Sequence, residues 1–254
     1  MAESVLRLPE GYGLTRLEST DSTNAEALRQ AENGAPSRLW ICARHQSRGR
    51  GRSGRTWLSQ EGNLFASLLL RLAHPLAVCS QLAFVAGVAA HATVEGICAN
   101  QANIRAPILK WPNDLLLQGA KLGGILIESR AAGEEAAVVL AIGIGINVSS
   151  HPDVEGHLAT SLNEAGIPAS VDDVLEGLME QMANWLAVWE RPEGWEHVRA
   201  EWGKRSFKPG TPISVKLPDG RIEGVYQGIA EDGGLRLATG GLEREIRAGD
   251  VFLR

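Results

Sequence analysis

Four arginines and three glycines fall within nine residues, Ser47-Arg-Gly-Arg-Gly-Arg-Ser-Gly-Arg55, and no buried element has that composition. The guanidinium forks of Arg48, Arg50, Arg52 and Arg55 suit phosphate or carboxylate oxygens, and Gly49, Gly51 and Gly54 admit backbone conformations closed to other residues. The stretch has the chemistry of an anion-gripping loop. Composition alone leaves two plainer readings standing, a solvated basic loop and a short Arg-Gly patch for nucleic acid. A second polar group follows: Lys110, Asn113 and Asp114 surround Trp111-Pro112, and Lys121 comes seven residues after Asp114. Proline has no N–H for a ladder, so this group is expected at a strand end, projecting from a bend.

The elements that must hold these groups are legible in outline. Leu39-Trp-Ile-Cys-Ala43 and Asn63-Leu-Phe-Ala-Ser-Leu-Leu-Leu70 flank the arginine loop as buried strands, which would let a rigid sheet aim its charges. Residues 12–17 read as an opening strand, and the good helix formers from Ala25 to Gln30 as a helix. Thr23 with Glu26 three residues later fits a capping box, a structural role for Thr23 that local sequence favours. Gln81 to Cys98 reads as a buried helix, Lys121 to Glu128 and Ala136 to Val148 as core strands joined through Ala131-Ala-Gly-Glu134. The Gly143-Ile-Gly145 sequence lacks the third glycine and following helix of a dinucleotide fingerprint; its small residues instead permit close approach of a ligand or another backbone. Two helices follow, over residues 170–189 and from Pro192 to Gly203, and then short alternating runs with tight turns that read as a small five-stranded barrel.

With 254 residues, 44% of them hydrophobic, the chain can bury a substantial core. A net charge of −5 argues against a general nucleic-acid binder, because the positive charge is concentrated at one loop and suits a small anionic ligand. Cys42, Cys79 and Cys98 have no metal-ligand or disulfide spacing, so no metal site is expected from them. No signal peptide and no run of 18 uninterrupted apolar residues is seen, which leads to the expectation of a cytoplasmic protein with no membrane partner.

Ser22-Thr-Asn24, Gln46-Ser-Arg-Gly-Arg-Gly-Arg-Ser-Gly-Arg55, Lys110-Trp-Pro-Asn-Asp114 with Lys121-Leu-Gly-Gly124, and Gly143-Ile-Gly-Ile-Asn147, in that order, resemble the biotin protein ligases over residues 12–254. The resemblance implies an α+β fold: a mixed central sheet with flanking helices, of the kind shared with class II aminoacyl-tRNA synthetases, over residues 1–206, and an SH3-like β-barrel over 207–254. It implies ATP and biotin as substrates, with Mg2+, and a lysine of a biotin carboxyl carrier protein or domain as acceptor. Ser22, Thr23, Asn24 and Gln46 would bind the biotin ring, with Gly49, Arg50, Lys121 and Gly124 completing that pocket. Arg50, Arg52 and Arg55 would clamp phosphate, Lys121 would bridge the biotin carboxylate and α-phosphate, and Trp57 and Asn147 would lie on the nucleotide side. Arg48 departs from the family, which usually has a small residue there. About 20 residues precede Ser22, too few for the DNA-binding domain that some members carry, so the enzyme-only form is expected, without DNA and compatible with a homodimer. A lipoyl or octanoyl transferase of the same fold is the nearest alternative, and a non-enzymatic RNA-binding protein a more distant one.

Overall fold

A computed structural model describes residues 6–99, 101, 104–132, 137–153 and 158–253. The first two strands, β1 (Gly13–Thr20) and β2 (Leu39–Gln46), run parallel, with α1 (Thr23–Glu32) crossing between them. Every later neighbour in this sheet is antiparallel: β3 (Leu64–Leu72), β4 (Ile108–Lys110), β5 (Asp114–Leu117), β6 (Ala120–Ala132) and β7 (Ala137–Ile146) complete the order β1-β2-β3-β7-β6-β5-β4. The turn expected between β6 and β7 lies largely outside the described residues.

The sheet is covered on both faces, which is why β3 reads as continuous apolar sequence rather than as alternation. Ile41, Leu69, Val139 and Ala141 point to α1, where Ala27, Leu28 and Ala31 meet them. Trp40, Leu64, Leu68 and Ile142 point the other way, into a core shared with α3 (Leu82–Cys98), α4 (Val171–Trp189) and α5 (Gly194–Lys204). A single helical turn, α2 (Leu76–Cys79), leads into α3. The segment Leu76–Cys98 is long and apolar enough to cross a bilayer, yet most of its apolar stretch is buried inside this protein. It is an interior helix. At α4 the chain has a capping box, Ser170 accepting from the Asp173 N–H while Asp173 accepts from Ser170.

The tail folds as a five-stranded antiparallel sheet, β8 (Pro212–Leu217), β9 (Gly220–Ile229), β10 (Leu235–Thr239), β11 (Leu242–Ile246) and β12 (Asp250–Leu253), ordered β11-β10-β9-β8-β12. The chain bends at Arg247 and Ala248, which separates β11 from β12. This sheet has no separate core. Ile213, Val215, Tyr226, Leu235 and Leu237 belong to the same buried cluster as α3 and α5. Trp111 Nε1 donates to Gly233 O at 3.0 Å, Trp195 Nε1 to Glu231 O at 2.7 Å, and Phe84 stacks edge-on against Trp195 and Trp202.

Candidate functional site

The arginine loop, the start of α1 and the ends of β5 and β6 converge. The base of the loop is pinned to the β1–α1 turn by two backbone bonds, Ser47 N–H to Thr20 O and Arg48 N–H to Asp21 O. Farther along, Gly49 O accepts from the Trp57 N–H and Gly51 N–H donates to Arg55 O. A Cβ on Gly49 would stand 2.4 Å from Trp57 O, so only glycine fits that approach.

Three of the arginines meet protein anions. Arg50 lies 3.2 Å from Glu128, Arg55 donates to Asp250 at 2.8 Å, and Arg52 reaches Asn113 Oδ1 at 3.3 Å and Gly249 O at 3.5 Å, with Asp250 3.8 Å away. From sequence alone, crowded guanidiniums and flexible glycines suggest a loop that orders only around a bound anion. Here Glu128 and Asp250 supply that charge from within the chain, and the last strand of the tail grips the loop. Asp250→Ala is expected to speed tryptic cleavage after Arg52 and Arg55 severalfold, followed by mass spectrometry of the first fragments. Unchanged rates would show that the grip is not what holds the loop.

Lys121 owes its direction to a β-bulge. Leu115 pairs with Gly123 but Leu116 pairs with Lys121, so Leu122 is the extra residue. Side chains alternate along a strand and a bulge resets that phase. Leu122 therefore enters the core while Lys121 turns to the face of Gly124, where a Cβ would lie 3.5 Å from Lys121 Nζ. Lys121 Nζ sits 2.6 Å from Asp114 Oδ1 and 5.5 Å from the centre of the Trp57 ring. Lys110 holds the other Asp114 oxygen at 2.9 Å. Burial raises the Asp114 pKa, but Lys121 and Lys110 outweigh it and leave the carboxyl below its ordinary value. The stability this carboxylate contributes is present above the ordinary carboxylate pKa and is lost as the pH falls through its lowered folded value. Asp114→Ala leaves two ammonium groups facing each other and is expected to cost ~3 kcal/mol in urea unfolding. A loss under ~1 kcal/mol would mean the triad is a weak surface pairing.

At the other end of the site, local sequence misassigns the helix cap. Ser22, not Thr23, is the N-cap of α1, its Oγ accepting from the Ala25 N–H, and Glu26 turns outward to Arg29 and Gln30. Thr23 is freed because Gln46 Oε1 accepts from its N–H at 2.9 Å and lies 3.1 Å from its hydroxyl. Gln46 Nε2 in turn donates to Ser59 Oγ at 3.1 Å. Asn24, expected to touch ligand, spends its amide on the protein, donating to Leu126 O and Glu128.

Gly143 and Gly145 admit two site side chains: a Cβ would stand 2.6 Å from Asn24 Oδ1 in one case and 2.7 Å from the Trp57 ring in the other. The close approach expected of this Gly-x-Gly is made by side chains. Asn147 is buried, and its Nδ2 donates to Thr160 O at 3.0 Å. Lys121 bonds the same segment, N–H to Leu158 O and O to the Thr160 N–H. Asn147 thus braces the backbone that carries Lys121. Glu128, Ser67, Ser59 and Asp250 were not among the residues singled out from sequence, since only strand register and tertiary packing bring them here.

Gln46, Gly49, Trp57, Gly124 and Lys121 are successive neighbours, leading from the polar network at α1 to the cationic end. No group of three or more His, Cys, Asp or Glu side chains able to hold a metal ion occurs among the described residues.

Residues 14–147 match the biotin/lipoate A/B protein ligase family, and residues 210–254 match the biotin protein ligase C terminal domain. Biotin–acetyl-CoA-carboxylase ligase of Paracoccus denitrificans is 35% identical over 242 residues, 93% of this chain and 98% of that one. Bifunctional ligase/repressor BirA of Bacillus subtilis is 33% identical over 253 residues, 96% of this chain and 74% of that one. Biotin protein ligase from Aquifex aeolicus in complex with biotin and ATP has a TM-score of 0.77 at 30% identity, covering 95% of this chain and 98% of that one. The ordered motifs, both domain matches and near-full-length similarity agree: the chain belongs to the biotin/lipoate A/B protein ligase family, among its biotin protein ligases.

Proposed function

We propose that this enzyme joins biotin to ATP and then to a carrier lysine. In the first step a biotin carboxylate oxygen attacks the α-phosphorus, forming biotinyl-5'-AMP and releasing pyrophosphate. In the second, the amine of a lysine on a biotin carboxyl carrier domain attacks the acyl carbon, an amide bond forms and AMP leaves. The observation that carries this reading is the pairing, along this run of neighbours, of a neutral hydrogen-bonding end at Thr23 and Gln46 with a cationic end at Lys121 and the arginine loop. No nucleophilic side chain is required. The first transition state brings two anions together, so positioned positive charge is the main thing the protein must supply.

In this reading Ser22, Thr23 and Gln46 hold the biotin ring, and Gly49 and Gly124 let it lie against the backbone. Lys121 bridges the carboxylate and α-phosphate oxygens. Arg50, Arg52 and Arg55 exchange Glu128 and Asp250 for phosphate, and Trp57 offers its ring to the nucleotide. Its indole packs on the backbone of Gly145, with an N–H that is buried and has no partner among the described residues. Asp114 and Glu128, the carboxylates nearest Lys121 and Arg50, are engaged by cations, and among the described residues no cluster of carboxylates would cage Mg2+, which would arrive on the ATP phosphates. The two-part division at residues 206 and 207, a cytoplasmic location and action without DNA belong to the same proposal; a homodimer is compatible with it. Incubating the enzyme with ATP and either biotin, lipoic acid or octanoic acid, and weighing the acyl adenylates by mass spectrometry, tests it. A biotinyl adenylate alone is expected; a lipoyl or octanoyl adenylate in its place would move the assignment to the lipoate side of the family.

A further inference from the structure

Ser67 on β3 is fully buried, 2.7 Å from Thr23 Oγ1 and 2.7 Å from Asn24 Oδ1. It has one hydroxyl proton and two oxygens within reach. Asn24 settles where that proton goes. Its Nδ2 donates to Leu126 O at 3.1 Å and to Glu128 Oε2 at 2.9 Å, and turning the amide over would face its oxygen onto a carbonyl and a carboxylate. Arg50 lies 3.2 Å from the same Glu128 oxygen, a second donor that leaves this oxygen purely an acceptor. Asn24 Oδ1 therefore faces Ser67 and takes its proton. Ser67 Oγ can then only accept from Thr23, and the Thr23 O–H, with Ser67 Oγ at 2.7 Å and Gln46 Oε1 at 3.1 Å, turns to the nearer oxygen, because two lone pairs facing each other at 2.7 Å would be the costlier arrangement.

Thr23 Oγ1 and Gln46 Oε1, 3.1 Å apart, are left as two lone-pair-bearing oxygens with no proton between them. Gln46 cannot relieve this by flipping, because its oxygen accepts the Thr23 N–H and its nitrogen donates to Ser59. Two converging acceptors, one on buried Thr23 and one on half-buried Gln46, are satisfied by an N–H brought from outside. A cyclic ureide provides that donor, whereas a dithiolane ring or an alkyl chain does not.

We infer that Ser67 and Glu128 are specificity-determining positioning residues, which set the proton directions in the chain Glu128–Asn24–Ser67–Thr23 so that the head-group end of the site selects a ligand with N–H donors. The inference rests on the reading of Thr23 and Gln46 as the head-group residues. Its test is biotin KM and kcat for adenylate formation by the wild type, Thr23→Val, Ser67→Ala and the double variant. Each single change is expected to raise KM about tenfold, the worth of a directed hydrogen bond, while kcat stays within about twofold. The double variant should be no worse than Thr23→Val, because Ser67 acts through Thr23. An unchanged KM in Thr23→Val would remove the head-group reading and this inference with it. A raised KM in Thr23→Val, together with an unchanged one in Ser67→Ala or with effects that multiply in the double variant, would overturn the relay and leave the head-group reading standing. If Ser67→Ala does not fold, Ser67→Cys, which fills the same space with only a weak hydrogen-bonding group, carries the same expectations and the same refutation.

Discussion

Lys121→Ala should slow adenylate formation by about 10²–10³ while leaving the fold and most of the biotin affinity in place. The bulge at Leu122 aims this ammonium at the face of Gly124 and Trp57, and Asp114 holds it there at 2.6 Å. An incoming carboxylate and phosphate would take over from Asp114, and the charge they share is largest as the new bond to phosphorus forms. Loss of one preorganised donor to such charge lowers turnover by about 10²–10³, or ~3–4 kcal/mol. Folding is spared because Asp114 keeps Lys110 at 2.9 Å, and the head-group contacts at Thr23 and Gln46 belong to other elements. Single-turnover formation of labelled adenylate, with biotin binding measured separately by calorimetry, distinguishes the two effects. Adenylate synthesis within about tenfold of wild type would remove Lys121 from the centre of the mechanism.

The parts of this site that sequence exposes are those whose chemistry is written in composition. Four arginines among glycines between two apolar runs mark the loop, and a lysine with an Asn-Asp pair around a proline marks a rim. What sequence hides is direction. Regular alternation would point Lys121 away from the face of Gly124, and nothing local announces that Leu122 is an extra residue. Thr23 satisfies a local capping rule with Glu26, but Gln46, 23 residues away, outcompetes it and Ser22 takes the cap. Ser67 reads as one small residue in an apolar strand, and its role arises because β3 runs beside α1. Asp250 is 195 residues from Arg55 in the chain, so its grip on the loop depends on how the two sheets pack. The five tail strands, by contrast, follow from glycine turns and alternation, which are local.

That packing makes a chain ending at Ser206 the most damaging change expected away from the chemistry. A tail of this size, read as a separate barrel, suggests that residues 1–206 would stay soluble without it. The structure argues otherwise. Trp111 and Trp195 would lose the carbonyls of Gly233 and Glu231, Arg199 would lose Ile229 O at 3.2 Å, and Phe84 would lose the backbone of Gly233 packed against its ring. Trp202, 2% exposed in the full chain, sits in the same cluster as Tyr226 and Leu235, so removal of the tail lays bare contiguous aromatic surface over α3 and α5. An exposed patch of that kind promotes association and weakens the remaining core. Arg52 and Arg55 would also lose Gly249 and Asp250, freeing the loop that meets the nucleotide. The shortened chain is expected to melt at least ~10 °C lower, where a domain of this size moves ~2–4 °C per kcal/mol, and to aggregate on heating with no adenylate formed. A cooperative transition within ~3 °C of the full chain, with the first half-reaction intact, would show that the two sheets fold and work independently despite sharing one core.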